Sequence, residues 1–225
     1  MKFLNLILYS TDIPEYVEMQ KVLEQYLVHS NIEHYFYHYD SSQTEEFLIK
    51  GNILSIRGTE TFIPGILEKT LQAFKYFQDK EYDYIVRSNI STIVDFYELE
   101  RHIGSKTLDY GGPLYYIGCL TPQGARIPGS KPFVSGICIV LSRKAVKILV
   151  DETKRILNYR AIDDVAIGIH LSSKVLFARP ISIDGTNTYV FNSDRSIKGM
   201  VVYRNKSNSR NDDVKRMKNL TSQLM

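Results

Sequence analysis

Two neighbouring acids, Asp163 and Asp164, stand where a loop enters a helical run, Ile162-Asp163-Asp164-Val165-Ala166-Ile167-Gly168. A carboxylate there is stabilised by the helix dipole and by exposed backbone amides. Helix capping accounts for both acids, with Asp163 as the N-cap. The chemical alternative is that one caps while the other takes a proton from a bound hydroxyl as general base. An aspartate with an ordinary pKa of about 3.9 is ionised at neutral pH and able to do so. A second polar group, Arg87-Ser88-Asn89-Ile90-Ser91, follows the apolar run Tyr84–Val86. Ligands of open α/β sheets sit outside the carboxyl ends of the strands. A plain turn is the other reading, since Ser and Asn favour turns. A third group is cationic: Arg204, Lys206 and Arg210 share a short flexible run near the C-terminus. Such a run is an ordinary solvated surface or, alternatively, a place to hold a diphosphate. Lys69 lies off the apolar stripe of its helix, where a lysine normally faces solvent.

The elements that must position these groups read as follows. Phe3–Tyr9 is a continuous apolar run, as for a strand buried on both faces. It ends in Ser10, Thr11 and Asp12. Asp12 and Glu15 have capping-box spacing, with Pro14 suited to the first helical turn. Tyr16, Met19, Leu23, Tyr26 and Leu27 form one helical face, and His34–Tyr39 reads as a second strand ending at Asp40. This β-α-β start is followed by a short strand at Asn52–Ile56, ending in Arg57. A helix begins at Pro64, then comes the Tyr84 strand, and then a short helix capped by Asp95. Alternation of strand and helix predicts a mostly parallel sheet in three layers. Gly111–Pro132, rich in Gly and Pro and containing Arg126 and Lys131, reads as a mobile loop over a site. Phe133–Leu141 reads as one strand, Ser142 as a helix cap, and Val175–Ala178 and Gly199–Tyr203 as short strands. A last helix follows Asn211.

The chain has 225 residues, 44% of them hydrophobic and 24% charged, which suits a globular protein of one domain, residues 1–225. A net charge of +3 is too small to argue for nucleic acid, and the basic residues are not concentrated enough elsewhere. Two cysteines, Cys119 and Cys138, make no disulfide framework and suggest a reducing compartment. His29, His34, His38, His102 and His170 lack metal-ligand spacing. No apolar run is long enough for a membrane span, and no secretion signal is evident. The expectation is a soluble, cytoplasmic protein. The absence of GxxxxGK[ST], GxGxxG and GxSxG argues against P-loop, dinucleotide and serine-hydrolase chemistry.

Four segments in order carry a family resemblance: Pro64-Gly65-Ile66-Leu67-Glu68-Lys69-Thr70-Leu71, Arg87-Ser88-Asn89-Ile90-Ser91, Ser135-Gly136-Ile137-Cys138-Ile139-Val140-Leu141-Ser142 and Asp163-Asp164-Val165-Ala166-Ile167-Gly168. Together they cover roughly residues 55–175, and the chain resembles the Fringe-like β-1,3-glycosyltransferases. The resemblance implies an α/β fold of GT-A type, a Rossmann-like mixed but mostly parallel sheet with helices on both faces. It implies a nucleotide-binding half, 1–110, and an acceptor half, 111–225. The implied activity is inverting transfer of a sugar from a nucleotide donor, usually UDP-linked, to a glycan or glycoprotein hydroxyl. Asp164 then maps to the catalytic base, and Ser135, Gly136 and Asp163 to the acceptor or donor-sugar region. Donor contacts fall on Ser10, Thr11, Asp40, Arg57, Lys69, Arg87, Asn89, Ser91, Arg204 and Lys206. The family's metal-binding D-D-D triplet is replaced by Asn89-Ile90-Ser91. Hard cations want anionic oxygens, so a Mg²⁺ or Mn²⁺ cofactor is doubtful here, and amide and hydroxyl oxygens alone are expected to bind one only weakly. Arg87, Arg204 and Lys206 are expected to take over part of that role. The chain also departs from the family's Golgi anchor and disulfides. Two other functions remain open: a non-catalytic nucleotide-sugar or glycan-binding module, and a nucleic-acid-binding protein.

Overall fold

A computed structural model of the chain describes residues 1–104, 107–117, 131–172, 174–175 and 189–225. The chain opens with β1 (Phe3–Leu8), α1 (Pro14–His29) and β2 (Glu33–Asp40), the expected β-α-β unit. A hairpin follows, β3 (Phe47–Lys50) and β4 (Ile53–Arg57), turning at Gly51, whose φ of 59° suits glycine. Next come α2 (Gly65–Phe77), β5 (Tyr84–Asn89), β6 (Thr92–Val94) and α3 (Phe96–Ile103). The second half holds β7 (Tyr110–Gly111), β8 (Leu114–Ile117), β9 (Lys131–Val134), β10 (Cys138–Ser142), α4 (Arg143–Asp151), α5 (Thr153–Leu157) and α6 (Asp163–Leu171). It ends with β11 (Tyr189–Phe191), β12 (Val202–Arg204) and α7 (Arg210–Leu224).

The main sheet has seven strands in the order β3-β4-β2-β1-β5-β10-β7. Its centre, β4-β2-β1-β5, is parallel. Its edges, β3 on one side and β10-β7 on the other, are antiparallel. Residues of β1 alternate between the two faces. Phe3 and Ile7 join a core with Met19, Leu23, Leu99 and Met217, from α1, α3 and α7. Leu4 and Leu6 join a core with Leu71, Phe74, Val146 and Ile167, from α2, α4 and α6. Helices therefore cover both faces, as the continuous apolar strands require. Each fully buried Leu or Met here contributes about 1.5–3 kcal/mol through removal from water. Two smaller sheets, β11-β12-β6 and β8-β9, lie outside the main one. Among the described residues, no helix is long and apolar enough to cross a membrane.

Asp95 caps α3 by accepting from the Glu98 amide at 3.0 Å, and Ser142 caps α4 through Ala145 at 3.2 Å. Other local expectations need correcting. Asp12 caps nothing: Ile13 holds the N-cap position of α1, and the Asp12 carboxylate accepts from the Ser10 hydroxyl at 2.8 Å. The run 133–141 is not one strand. It breaks at Ser135–Ile137 because the carbonyl and amide of Gly136 are both taken by side chains, Arg87 and Asp164, and are lost to any ladder. The basic run is not a flexible tail: Arg204 belongs to β12, and α7 begins at Arg210 behind an N-cap at Ser209. The Gly/Pro-rich stretch contributes β8 and β9 at its ends, while 118–130, with Arg126 and Cys119, lie outside the described residues. The expected strand at 175–178 also falls largely outside them. Cys138 is a free, buried thiol whose pKa burial pushes up to about 12.

Candidate active site

A cleft of about 720 Å³ opens at the carboxyl ends of β1 and β5, between the loop before α2, the start of α6 and the segment joining β12 to α7. Of the residues singled out from sequence, Ser10, Lys69, Arg87, Asn89, Ser91, Ser135, Gly136, Asp163, Asp164, Arg204 and Lys206 line it together. Thr11, Asp40 and Arg57 do not. Thr11 is exposed. Asp40 accepts from the Ser42 amide and hydroxyl, and exposed Arg57 donates to the Thr44 carbonyl at 3.0 Å.

One wall is acidic and is organised by Arg87. This residue is inside β5 rather than beyond it, and only 1% exposed. Its Nη2 donates to Asp163 Oδ2 at 2.6 Å, and its Nη1 to Asn89 Oδ1 at 3.1 Å and to the Gly136 carbonyl. Its Nε donates to the Tyr37 hydroxyl at 3.3 Å, which in turn meets Thr70 Oγ1 at 2.9 Å. Burial works against the guanidinium charge, but Asp163 and Tyr37 outweigh it and the pKa is raised. A Cβ at Gly136 would stand 2.9 Å from Arg87 Nη1 and 3.4 Å from Asp164 Oδ2, so a larger residue there would have to displace the Arg87 guanidinium.

Neither acid acts as the helix cap. Ile162 holds that position in α6 and supplies no side-chain hydrogen bond. Asp163 is committed to Arg87. Asp164 Oδ2 accepts from the Gly136 amide at 2.8 Å and Oδ1 from the Val165 amide at 2.8 Å. A carboxylate has about four lone-pair sites, so Asp164 keeps acceptor capacity toward the cleft. Burial and then the charge of Asp163 raise its pKa above the ordinary aspartate value. A base with a raised pKa takes a proton more readily while still ionised near neutrality.

A second group of cleft side chains is basic. Arg204, 8% exposed, donates from Nη1 to Thr92 Oγ1 at 3.2 Å, its antiparallel partner across β12 and β6. Among the described residues no carboxylate lies within ion-pair distance of it. Burial, Arg210 and Arg87 push its pKa down to about 10. Arg210 is half-buried, with its guanidinium 5.6 Å from the Tyr16 ring, and it pairs with Asp213 at 3.0 Å. Asp213 is saturated by Arg216 and by the Ser207 amide. Lys206 is exposed at the rim.

Lys69 corrects the surface reading. It is 2% exposed and held by Glu60 at 2.5 and 2.6 Å and by the Tyr9 carbonyl at 3.3 Å. Burial lowers its pKa, opposed by Glu60. Glu60 also accepts from the Tyr39 amide at 3.0 Å, tying the loop before α2 to β2. Sequence reasoning missed Glu60, because a single acid in a loop carries no periodic signal. Tyr16 was read only as part of an apolar stripe. Phe62 and Phe191 at the cleft mouth, 69% and 46% exposed, had no local signal.

No protein-family model matches the chain, and no curated protein sequence matches it. Among solved structures, the fold matches a glycosyltransferase involved in the glycosylation of the major capsid of PBCV-1. The TM-score is 0.53 and the identity 8%, over 96% of this chain and 98% of that one. The inositol-1-phosphate CTP transferase of T. maritima aligns at TM-score 0.48 and 9% identity, over 100% and 96% of the two chains. The catalytic domain of Drosophila β1,4-galactosyltransferase 7, in complex with xylobiose, aligns at 0.42 and 14%, over 81% and 66%. The fold is a mixed α/β fold of GT-A-like type. The family resemblance implies a divalent cation held by a carboxylate triplet. The residues here do not suit one: Asn89, Ile90 and Ser91 offer no carboxylate. Among the described residues no group of three or more His, Cys, Asp or Glu side chains is placed to bind a metal.

Proposed function

We propose that this protein is an inverting glycosyltransferase that moves a sugar from a nucleotide-sugar donor, UDP-linked, to an acceptor hydroxyl. The observation that carries the proposal is one cleft that holds both a buried Arg204, with no carboxylate within ion-pair distance among the described residues, and a carboxylate with spare acceptor capacity, Asp164. A cation buried without a counter-charge is costly, and an anionic ligand removes that cost. The forked donors of arginine suit phosphate oxygens. The diphosphate lies against Arg204, Arg210 and Lys206, with Asn89 and Ser91 adding neutral polar groups. The acceptor hydroxyl attacks the anomeric carbon from the face opposite the leaving group. The bond from that carbon to the phosphate oxygen breaks, and its electron pair leaves with the nucleoside diphosphate. The acceptor proton passes to Asp164. Charge developing on the leaving phosphate meets fixed cations rather than water, and holding both reactants in one cleft supplies proximity. Arg87 serves this chemistry indirectly, by fixing Asp163 and the Gly136 turn that orients Asp164. The ordered Fringe-like motifs support the finer assignment to that group of transferases.

The test is Asp164→Asn, assayed with a panel of nucleotide sugars and glycan acceptors. General-base loss is expected to lower turnover by about 10²–10⁴-fold while UDP still binds. Near-normal transfer by the variant contradicts the role. A second reading, a non-catalytic nucleotide-sugar-binding module, is favoured by one observation: both Asp164 oxygens already hold amide hydrogens, and Asp163 is spent on Arg87. Tight UDP binding without hydrolysis or transfer across the panel selects that reading.

A further inference from the structure

We infer that the acceptor is an oligosaccharide, held along a row of aromatic rings that leads away from the cleft. The inference rests on the sugar-transfer reading above and names the acceptor class for the same site. The row consists of Phe133, Tyr115, Tyr189 and Phe191. Ring centroids are 6.0 Å apart for Phe133 and Tyr115, 6.4 Å for Tyr115 and Tyr189, and 5.8 Å for Tyr189 and Phe191. Phe133 and Tyr115 are register partners across β9 and β8. Tyr189 and Phe191 alternate onto one face of β11. Two small sheets thus contribute to a single line of rings.

One end of the line enters the site, and the other rests on the helix that carries Asp164. Phe133 packs on α6 so closely that a Cβ at Gly168, one turn after Asp164, would stand 2.4 Å from its own Cβ. Phe191 lines the cleft itself. Rings that only joined the two sheets would gain most by turning inward. Instead Tyr115 stays 37% exposed and Phe191 46%, with Phe133 and Tyr189 half-buried. A row of rings left partly open to solvent in this way offers a surface on which a ligand can stack. Its chemistry suits sugar rings, which present C–H faces to an aromatic plane and hydroxyls to water and to tyrosine tips. The line is continuous with the cleft, so a chain whose reactive hydroxyl reaches Asp164 lays its further units along it.

The test uses the full chain and saturation-transfer NMR with calorimetry. The probes are xylo-, chito-, malto- and galacto-oligosaccharides, from monosaccharide to hexasaccharide, with UDP titrated in parallel. One series is expected to bind more tightly as it lengthens. Tyr115→Ala, at an exposed position, is expected to lose affinity in proportion to length, about tenfold or 1.4 kcal/mol for the longest member, while Tyr115→Phe retains it. Affinity that does not change with length, or a Tyr115→Ala variant equal to the parent for every member, overturns the inference. UDP binding with no glycan binding also overturns it and leaves the donor reading standing. Length-dependent glycan binding without any UDP binding supports the row and removes the donor reading instead.

Discussion

The cleft contains two buried arginines, and the fold treats them oppositely. Arg87, 1% exposed, is surrounded by acceptors: Asp163, Asn89, the Gly136 carbonyl and the Tyr37 hydroxyl. Arg204, 8% exposed, has the Thr92 hydroxyl and no acid among the described residues, and its strongest charged neighbours are cations. Their pKa shifts run in opposite directions for that reason: raised where Asp163 outweighs burial, lowered where burial and Arg210 act together. A buried charge whose counter-ion is built into the chain belongs to the scaffold. One whose counter-ion is missing is suited to bind an anion, which would offset its desolvation.

The contrast is broken most severely at Arg87. Arg87→Met leaves Asp163 without its partner and the Gly136 carbonyl without its donor. Breaking such a buried pair costs about 3–5 kcal/mol, to be read from urea unfolding. A loss below about 1 kcal/mol, the range of an exposed pair, would mean that Asp163 is more solvated than its 12% side-chain exposure suggests. At Arg204 the sign reverses. Arg204→Met removes a buried charge that has no acid partner among the described residues, and it is expected to raise the thermal midpoint in anion-free buffer. A clear drop in that midpoint contradicts the free-cation account.

The acid wall makes a pH prediction. Burial and Asp163 raise the pKa of Asp164, and in the proposed role of general base it works only when ionised. Activity therefore rises with pH through that raised value and is lost below it. The acid limb of kcat/KM should fall above the ordinary aspartate value of 3.8. A limb at or below that value assigns the base elsewhere. The smallest effect belongs to the rim. Lys206→Ala removes an exposed cation, so UDP affinity should fall only a few-fold at low salt and negligibly at high salt, where screening already hides such a charge.

Much of the fold was legible because continuous apolar strands and amphipathic helices leave strong periodic signals. The β1-α1-β2 start, α2, α3 and α4 follow them closely. The site was half legible. Asp164, Asn89 and Ser135-Gly136 stood out by type, and they do share one cleft. What failed depends on distant partners. Arg87 reads as a polar tip until Asp163, 76 residues later, reaches it. Lys69 reads as a surface lysine until the loop residue Glu60 closes over it. Arg204 reads as part of a solvated basic run because β12 is only three residues long, and its burial comes from pairing with β6, remote in sequence. No periodicity within a short window reports such pairings.

The central claim is that Arg204 awaits the phosphates of a nucleotide donor. Calorimetric titration of UDP into the full chain in excess EDTA, for the parent and for Arg204→Met, tests it most directly. The expected result is binding by the parent that is the same in EDTA as in Mn²⁺, and at least tenfold weaker binding by the variant, about 1.4 kcal/mol. Binding that disappears in EDTA and returns with Mn²⁺, or a variant that binds UDP as tightly as the parent, would contradict it.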